Sequence, residues 1–249
     1  MNMPTPLLKT AQLADMAALR DAIDAIDGEL ARLIAQRSGL ARAIAAAKQA
    51  EGETGFGWRP AREIEILRKL LARQPDLDPS LAAAVWRALI SANLAAQGGL
   101  DIVTTLEAAP WARLAFGAAS ETRILSAAEA LVAAKQGART IACLPWPDAG
   151  TGWWVDLLDA SLSGVHVCAA SPQIAQSGVP EALLLAHRAP EASGKDTTLL
   201  AGPCDVLTAY GGLEITRQGP YSLVQLSSFF DQDATLAAGV RLVGCFALV

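Results

Sequence analysis

Arg20, Arg37 and Lys48 stand in a stretch of chain that is otherwise mostly apolar or small, and Gln97 closes a later alanine-rich run. Three cations and an amide of this kind can form a cage for a small dianion. Arg37 and Lys48 are eleven residues apart, which at ~100° per residue brings them within about 20° of one helix face. Both can therefore address one ligand. Arg20 precedes Arg37 by seventeen residues, about 25 Å along a helix axis and roughly 100° round it. It can serve the same ligand only from a second copy of the chain. Lys48 has alanines before it and no acid three or four residues earlier with which to pair. Asn93 and Gln97 share a face of their helix, where unpaired amides would be costly to bury. Glu63 falls in a first helical turn, a position that favours an acid whether or not anything binds.

The elements that must position these groups are helical. In LRDAIDAIDGELARLIAQRSGLARAIAAAKQ, Leu19, Ile23, Ile26, Leu30, Leu33, Leu40 and Ile44 recur at threes and fours with no proline between them. One amphipathic helix of roughly 35 residues follows, on the order of 50 Å long against an average of about 11 residues. It cannot fold back on its own core, so a partner must cover its stripe, and the expectation is an intertwined dimer. The glycine-rich QAEGETGFGW reads as a loop. Pro60 then suits the first turn of a second helix, AREIEILRKLLARQ, which stops near Pro75. Asp78 is the N-cap and Pro79 the first residue of a third helix, which Gly98 and Gly99 end. Residues 1–100 thus read as an all-α, three-helix domain.

From about residue 112 the character changes. Short apolar runs (RLAFG, TIACL, VHVCA, ALLLAHR, TTLLAG, YSLVQL, VRLVGCFALV) alternate with one clear helix, SAAEALVAAKQG. Residues 101–249 are accordingly read as a second, α/β (α+β) domain. There is no Walker loop and no GxGxxG after a strand.

At 249 residues and 52% hydrophobic composition, the chain has material for two cores. MNMPTPLLKT lacks the apolar core of a signal peptide, and no stretch approaches ~20 uninterrupted apolar residues, so the cytoplasm is expected and a membrane is not. Cys143, Cys168, Cys204 and Cys245 are widely spaced without CxxC or nearby histidine, which indicates reduced structural thiols and no metal site. His166 and His187 lack any nucleophile-elbow or metal spacing. The net charge is −5; residues 1–97 hold 12 basic and 11 acidic side chains, and the excess acid lies beyond them. A nucleic-acid surface is excluded.

The first hundred residues resemble the all-helical chorismate mutases, the type that also forms the front half of the enzyme fused to prephenate dehydratase. The resemblance rests on LRxxIDxID, Gln36-Arg37, AxAKQ around Lys48, RPxRE from Arg59 to Glu63, and ISxNLxxQ ending at Gln97. It implies the unimolecular Claisen rearrangement of chorismate to prephenate in aromatic amino acid, and specifically phenylalanine, biosynthesis. That reaction requires no base, metal or cofactor, only a compact substrate chair and donors to the ether oxygen as the C–O bond breaks. By the resemblance, Arg20 of a partner subunit and Arg37 grip the carboxylates, Lys48 and Gln97 donate to the ether oxygen, Glu63 accepts from the ring hydroxyl, and Arg62 completes the cationic wall. Asn93 stands where relatives have serine. Ile66 and Leu67 replace a cation and a carboxylate, and Arg62 would substitute for the missing cation.

Residues 112–249 look like a shortened relative of the dehydratase and its ACT module. The helix, strand and proline-led loop of SAAEALVAAKQGARTIACLPWPDAGTGWWVDLL follow that family, but Trp146, Pro147 and Asp148 replace its acid and asparagine. Glu181, Ala182 and Leu183 stand where its catalytic Thr-Arg-Phe belongs, so dehydration is not expected. Thr216 and Arg217 echo half of the ACT ligand motif in the closing strands. The resulting expectation is a homodimeric chorismate mutase with a structural or regulatory appendage. Two alternatives are a non-catalytic binding relative and an isochorismate-pyruvate lyase on the same helices.

Overall fold

The computed structural model describes residues 16–50, 57–117 and 120–249, with the side chains of Lys48 and Gln49 outside the description. The expected QAEGETGFGW loop lies largely outside the described residues, as does the N-terminal MNMPTPLLKT. The chain divides into two compact units, Met1–Glu53 and Thr54–Val249.

The first unit is built on one helix, α1 (Met16–Ala50), whose 35 residues match the length read from the apolar period. Leu19, Ile23, Ile26, Leu30, Leu33, Ile34, Leu40 and Ile44 are 38–61% exposed along it. A helix with so much aliphatic surface in water lacks the tertiary burial that normally stabilises amphipathic helices.

In the second unit, α2 (Pro60–Arg73) begins with proline at its first position, and α3 (Pro79–Ala96) begins on the N-cap Asp78, whose Oδ1 accepts from Leu81 N at 2.7 Å. Gly98 and Gly99, at φ +100° and +68°, end α3 in a conformation that side chains with a Cβ resist. The mixed sheet that follows contains β1 (Asp101–Thr104), β2 (Thr122–Ile124), β3 (Thr140–Pro145), β4 (Val165–Ser171), β5 (Ala182–His187), β6 (Thr197–Pro203), β7 (Leu213–Gln218), β8 (Tyr221–Leu226) and β9 (Arg241–Phe246). Their spatial order is β2-β1-β3-β5-β4-β9-β6-β8-β7. β1 pairs in parallel with β2 and β3, β4 is parallel to β9, and the remaining pairs are antiparallel.

Helices α4 (Ala109–Phe116) and α5 (Ala127–Gln136) cover opposite faces. Ile102 packs with α4 and Val103 with α5, as the two-residue period of a strand requires. The expected helix SAAEALVAAKQG is α5, opened by a capping box between Ser126 and Glu129. One expectation is corrected: RLAFG, read as an apolar run of strand type, lies in α4 and the Gly that ends it. Four of its residues continue a short helix whose buried face, Ala112, Ala115 and Phe116, sits on the sheet.

Helix α2 is fastened to the sheet region. Arg68 donates to the carbonyls of Ser193 (3.0 Å), Lys195 (3.1 Å) and Leu248 (2.7 Å), and Arg188 donates to the Trp58 carbonyl. Trp58 is fully buried in one cluster with Leu94, Ile102 and Phe116, so α3, the chain entering α2 and the sheet share a core.

Candidate functional site

The sequence-derived site residues fall in both compact units. In the first, α1 carries Arg20, Arg37 and Lys48 on one uninterrupted helix. Arg20 is exposed. Arg37 is half-buried, and its Nη1 is shielded from solvent with no hydrogen-bond partner among the described residues. A desolvated guanidinium N–H without an acceptor is costly, and an anionic ligand would relieve that cost.

In the second unit, Gln97 is the C-cap residue of α3. Its backbone N–H bonds back to Leu94 O, and its own carbonyl accepts from Arg139 Nη2 at 3.1 Å. Its side-chain Oε1 lies against Gly57, where a Cβ would come within 2.7 Å. The backbone of Gln97 is thus held from outside α3, and its amide lies beside the chain entering α2. Asn93, one turn earlier, is half-buried.

Glu63 is 4% exposed, and its Oε2 accepts from Arg87 Nη1 at 2.5 Å. Burial pushes its pKa up, and the attraction and hydrogen bond of Arg87 oppose that shift without cancelling it. Arg62, the neighbouring residue, is exposed and pairs with Glu65 at 3.1 Å. The cation that meets Glu63 is therefore Arg87, which sequence reasoning missed. Leu67 is 2% exposed and Ile66 is half-buried. The apolar replacements at these two positions lie on a helix whose buried face also includes Pro60, Ala61, Glu63 and Ile64.

The other titratable candidates are structural. His166 Nδ1 donates to the Arg188 carbonyl at 2.9 Å, and burial lowers its pKa. Burial also pushes the Cys143 and Cys168 thiols up to about 12, so neither is a nucleophile at neutral pH.

A cavity of about 610 Å³ opens beyond the C-terminal ends of β1, β2 and β3, with Glu107, Ser126, Trp146 and Asp148 in its wall. Parallel sheets commonly bind ligands at such an end. Here Asp148 Oδ1 is taken up by its own loop, accepting from Gly150 N and Thr151 Oγ1.

Residues 19–98 match the family model of chorismate mutase type II. The match begins in α1, ends just after α3, and includes all seven sequence-derived site residues. The helical N-terminal region thus matches the chorismate mutase domain, while the region beyond it is a mixed sheet consistent with α/β. No curated protein and no solved structure matches the chain. No helix among the described residues is long and apolar enough to cross a membrane.

Proposed function

We propose that the chain is a cofactor-free chorismate mutase in aromatic amino acid biosynthesis. In this reading residues 1–100 are its catalytic part, residues 101–249 form a structural or regulatory appendage, and the cytoplasm is its compartment. The observation that carries the reading is Arg37. Its guanidinium has a shielded, unpartnered nitrogen and lies in a segment matching the type II mutase model.

The rearrangement breaks the ether C–O bond and forms a C–C bond within one molecule, with no proton or electron to be supplied. Catalysis is then a matter of holding the chair and meeting charge on the ether oxygen. Arg37, with Arg20 from the partner subunit, holds the two carboxylates, and Lys48 and Gln97 donate to the ether oxygen. Glu63, oriented by Arg87, accepts from the ring hydroxyl, with Arg62 and Asn93 at the margin of the site. The exposed aliphatic stripe of α1 supports the homodimer that brings Arg20 across.

Product analysis after incubation with chorismate tests the reading. Prephenate that becomes phenylpyruvate only after mild acid is the expected result, and it also supports an appendage without dehydratase activity. Salicylate and pyruvate would indicate the lyase, and unchanged chorismate a binding protein.

A further inference from the structure

Gln97 caps the C-terminal end of α3, and the two residues after it are glycines. The last carbonyls of a helix have no partner within the helix, and such ends fray. Gly98 and Gly99 both have positive φ, and glycine is the residue whose backbone is least restrained. The main chain that carries the Gln97 amide therefore needs a hold from elsewhere.

Arg139 supplies it. This residue lies between α5 and β3, beyond the segment that matches the mutase family. Its Nη2 donates to the Gln97 carbonyl at 3.1 Å and to the Gly99 carbonyl at 2.7 Å, and its Nε donates to the Gly99 carbonyl at 2.9 Å. The guanidinium thus spans Gly98, where a Cβ would stand 3.9 Å from its central carbon. Hydrogen bonds from a charged donor are roughly twice as strong as neutral ones, and the C-terminal end of a helix favours a cation. Arg139 is itself fixed: its carbonyl accepts from Asp101 N at 3.1 Å, and the next residue, Thr140, pairs with Asp101 in the sheet. Arg68 and Arg188 fasten α2 and its entry through carbonyls of residues without a proposed role; Arg139 holds a residue that has one.

We infer that Arg139 is a positioning residue for Gln97, a guanidinium from the sheet region that sets the main chain from which the Gln97 amide projects. The sheet region thereby takes part in the site through a proposed donor. The catalytic consequence rests on the chorismate mutase reading; the positioning does not.

Two measurements on the full chain test the inference. The first is nuclear magnetic resonance of the Gln97 side-chain amide, assigned by its loss in Gln97→Ala. In the wild type its signal should be distinct from those of solvated glutamines, and in Arg139→Ala it should broaden or move toward them. An unchanged signal would overturn the positioning, whether or not the chain turns over chorismate. The second is steady-state kinetics at a temperature where circular dichroism shows every variant folded. Arg139→Ala should lower kcat about tenfold, part of the roughly 10²–10³-fold lost with a whole preorganised donor, and leave KM nearly unchanged. Arg139→Lys keeps a cation at the helix end but not the fork that spans two carbonyls, so it should restore stability more fully than kcat. In a Gln97→Ala background the backbone carbonyl remains and the amide is gone, so Arg139→Ala should lower kcat no further. An equal fall in both backgrounds, or an unchanged kcat in Arg139→Ala, would overturn the inference. A wild type without turnover would remove the mutase reading and leave the amide signal to decide the positioning.

Discussion

Glu63 and Arg87 form a buried ion pair, so their energetics are dominated by what happens when one partner is removed. Arg87→Met should cost about 3–5 kcal/mol at pH 8, because it leaves the Glu63 carboxylate uncompensated; urea unfolding measures it. Glu63→Gln should change the pH dependence of stability. The folded-state pKa of Glu63 lies above its ordinary 4.5, so the native state keeps this proton longer than the unfolded chain does. The contribution is complete below the unfolded value and is lost as pH rises through the folded one. Relative to Glu63→Gln, the wild type should therefore lose stability as pH increases from about 4.5, and a flat difference would exclude the shift. Glu63 was legible as a candidate from its motif, but its partner lies 24 residues away on another helix. The signal for Arg87 was nonetheless present. It sits in AAAVWRALIS with no acid three or four residues away, the same pattern that singled out Lys48.

At the level of elements, Gly57 and Gln97 join the chain entering α2 to the end of α3. Gly57→Ala places a methyl group against the Gln97 Oε1. The amide is the end of a flexible side chain and can swing aside, so stability should stay within about 0.5 kcal/mol. Turnover should nevertheless fall on the order of 10²-fold, as for loss of a preorganised donor. Unchanged kcat would remove Gln97 from the proposed chemistry. The helices were readable where caps or composition marked them, as at Asp78-Pro79 for α3 and in SAAEALVAAKQG for α5. β1, β2 and α4 were not. β1 is four residues long and buried at three of them, β2 has three residues, and α4 has eight, too few to display a period. The pairing of β9 with both β4 and β6 depends on contacts between distant segments, which local patterning does not encode.

For the whole molecule, the prediction concerns the second copy. If Arg20 crosses to the partner, Arg20→Ala and Arg37→Ala chains should each be inactive alone and regain activity after mixing and refolding. Random assortment in a two-fold dimer gives one intact site in half the dimers, or about a quarter of wild-type activity. No recovery would exclude a shared site. The exposed stripe itself was legible, because the period of α1 runs for 35 residues and its aliphatic positions are exposed. The role of the sheet region was less legible, since its motifs depart from those they resemble at the residues that would do chemistry. The most direct measurement is the steady-state rate of chorismate conversion to prephenate by the wild-type chain and by Lys48→Ala. Turnover by the wild type with a loss of about 3–4 kcal/mol in barrier, on the order of 10²–10³-fold in rate, is the expected result. A wild type without turnover, or a loss smaller than about tenfold, would contradict the assignment.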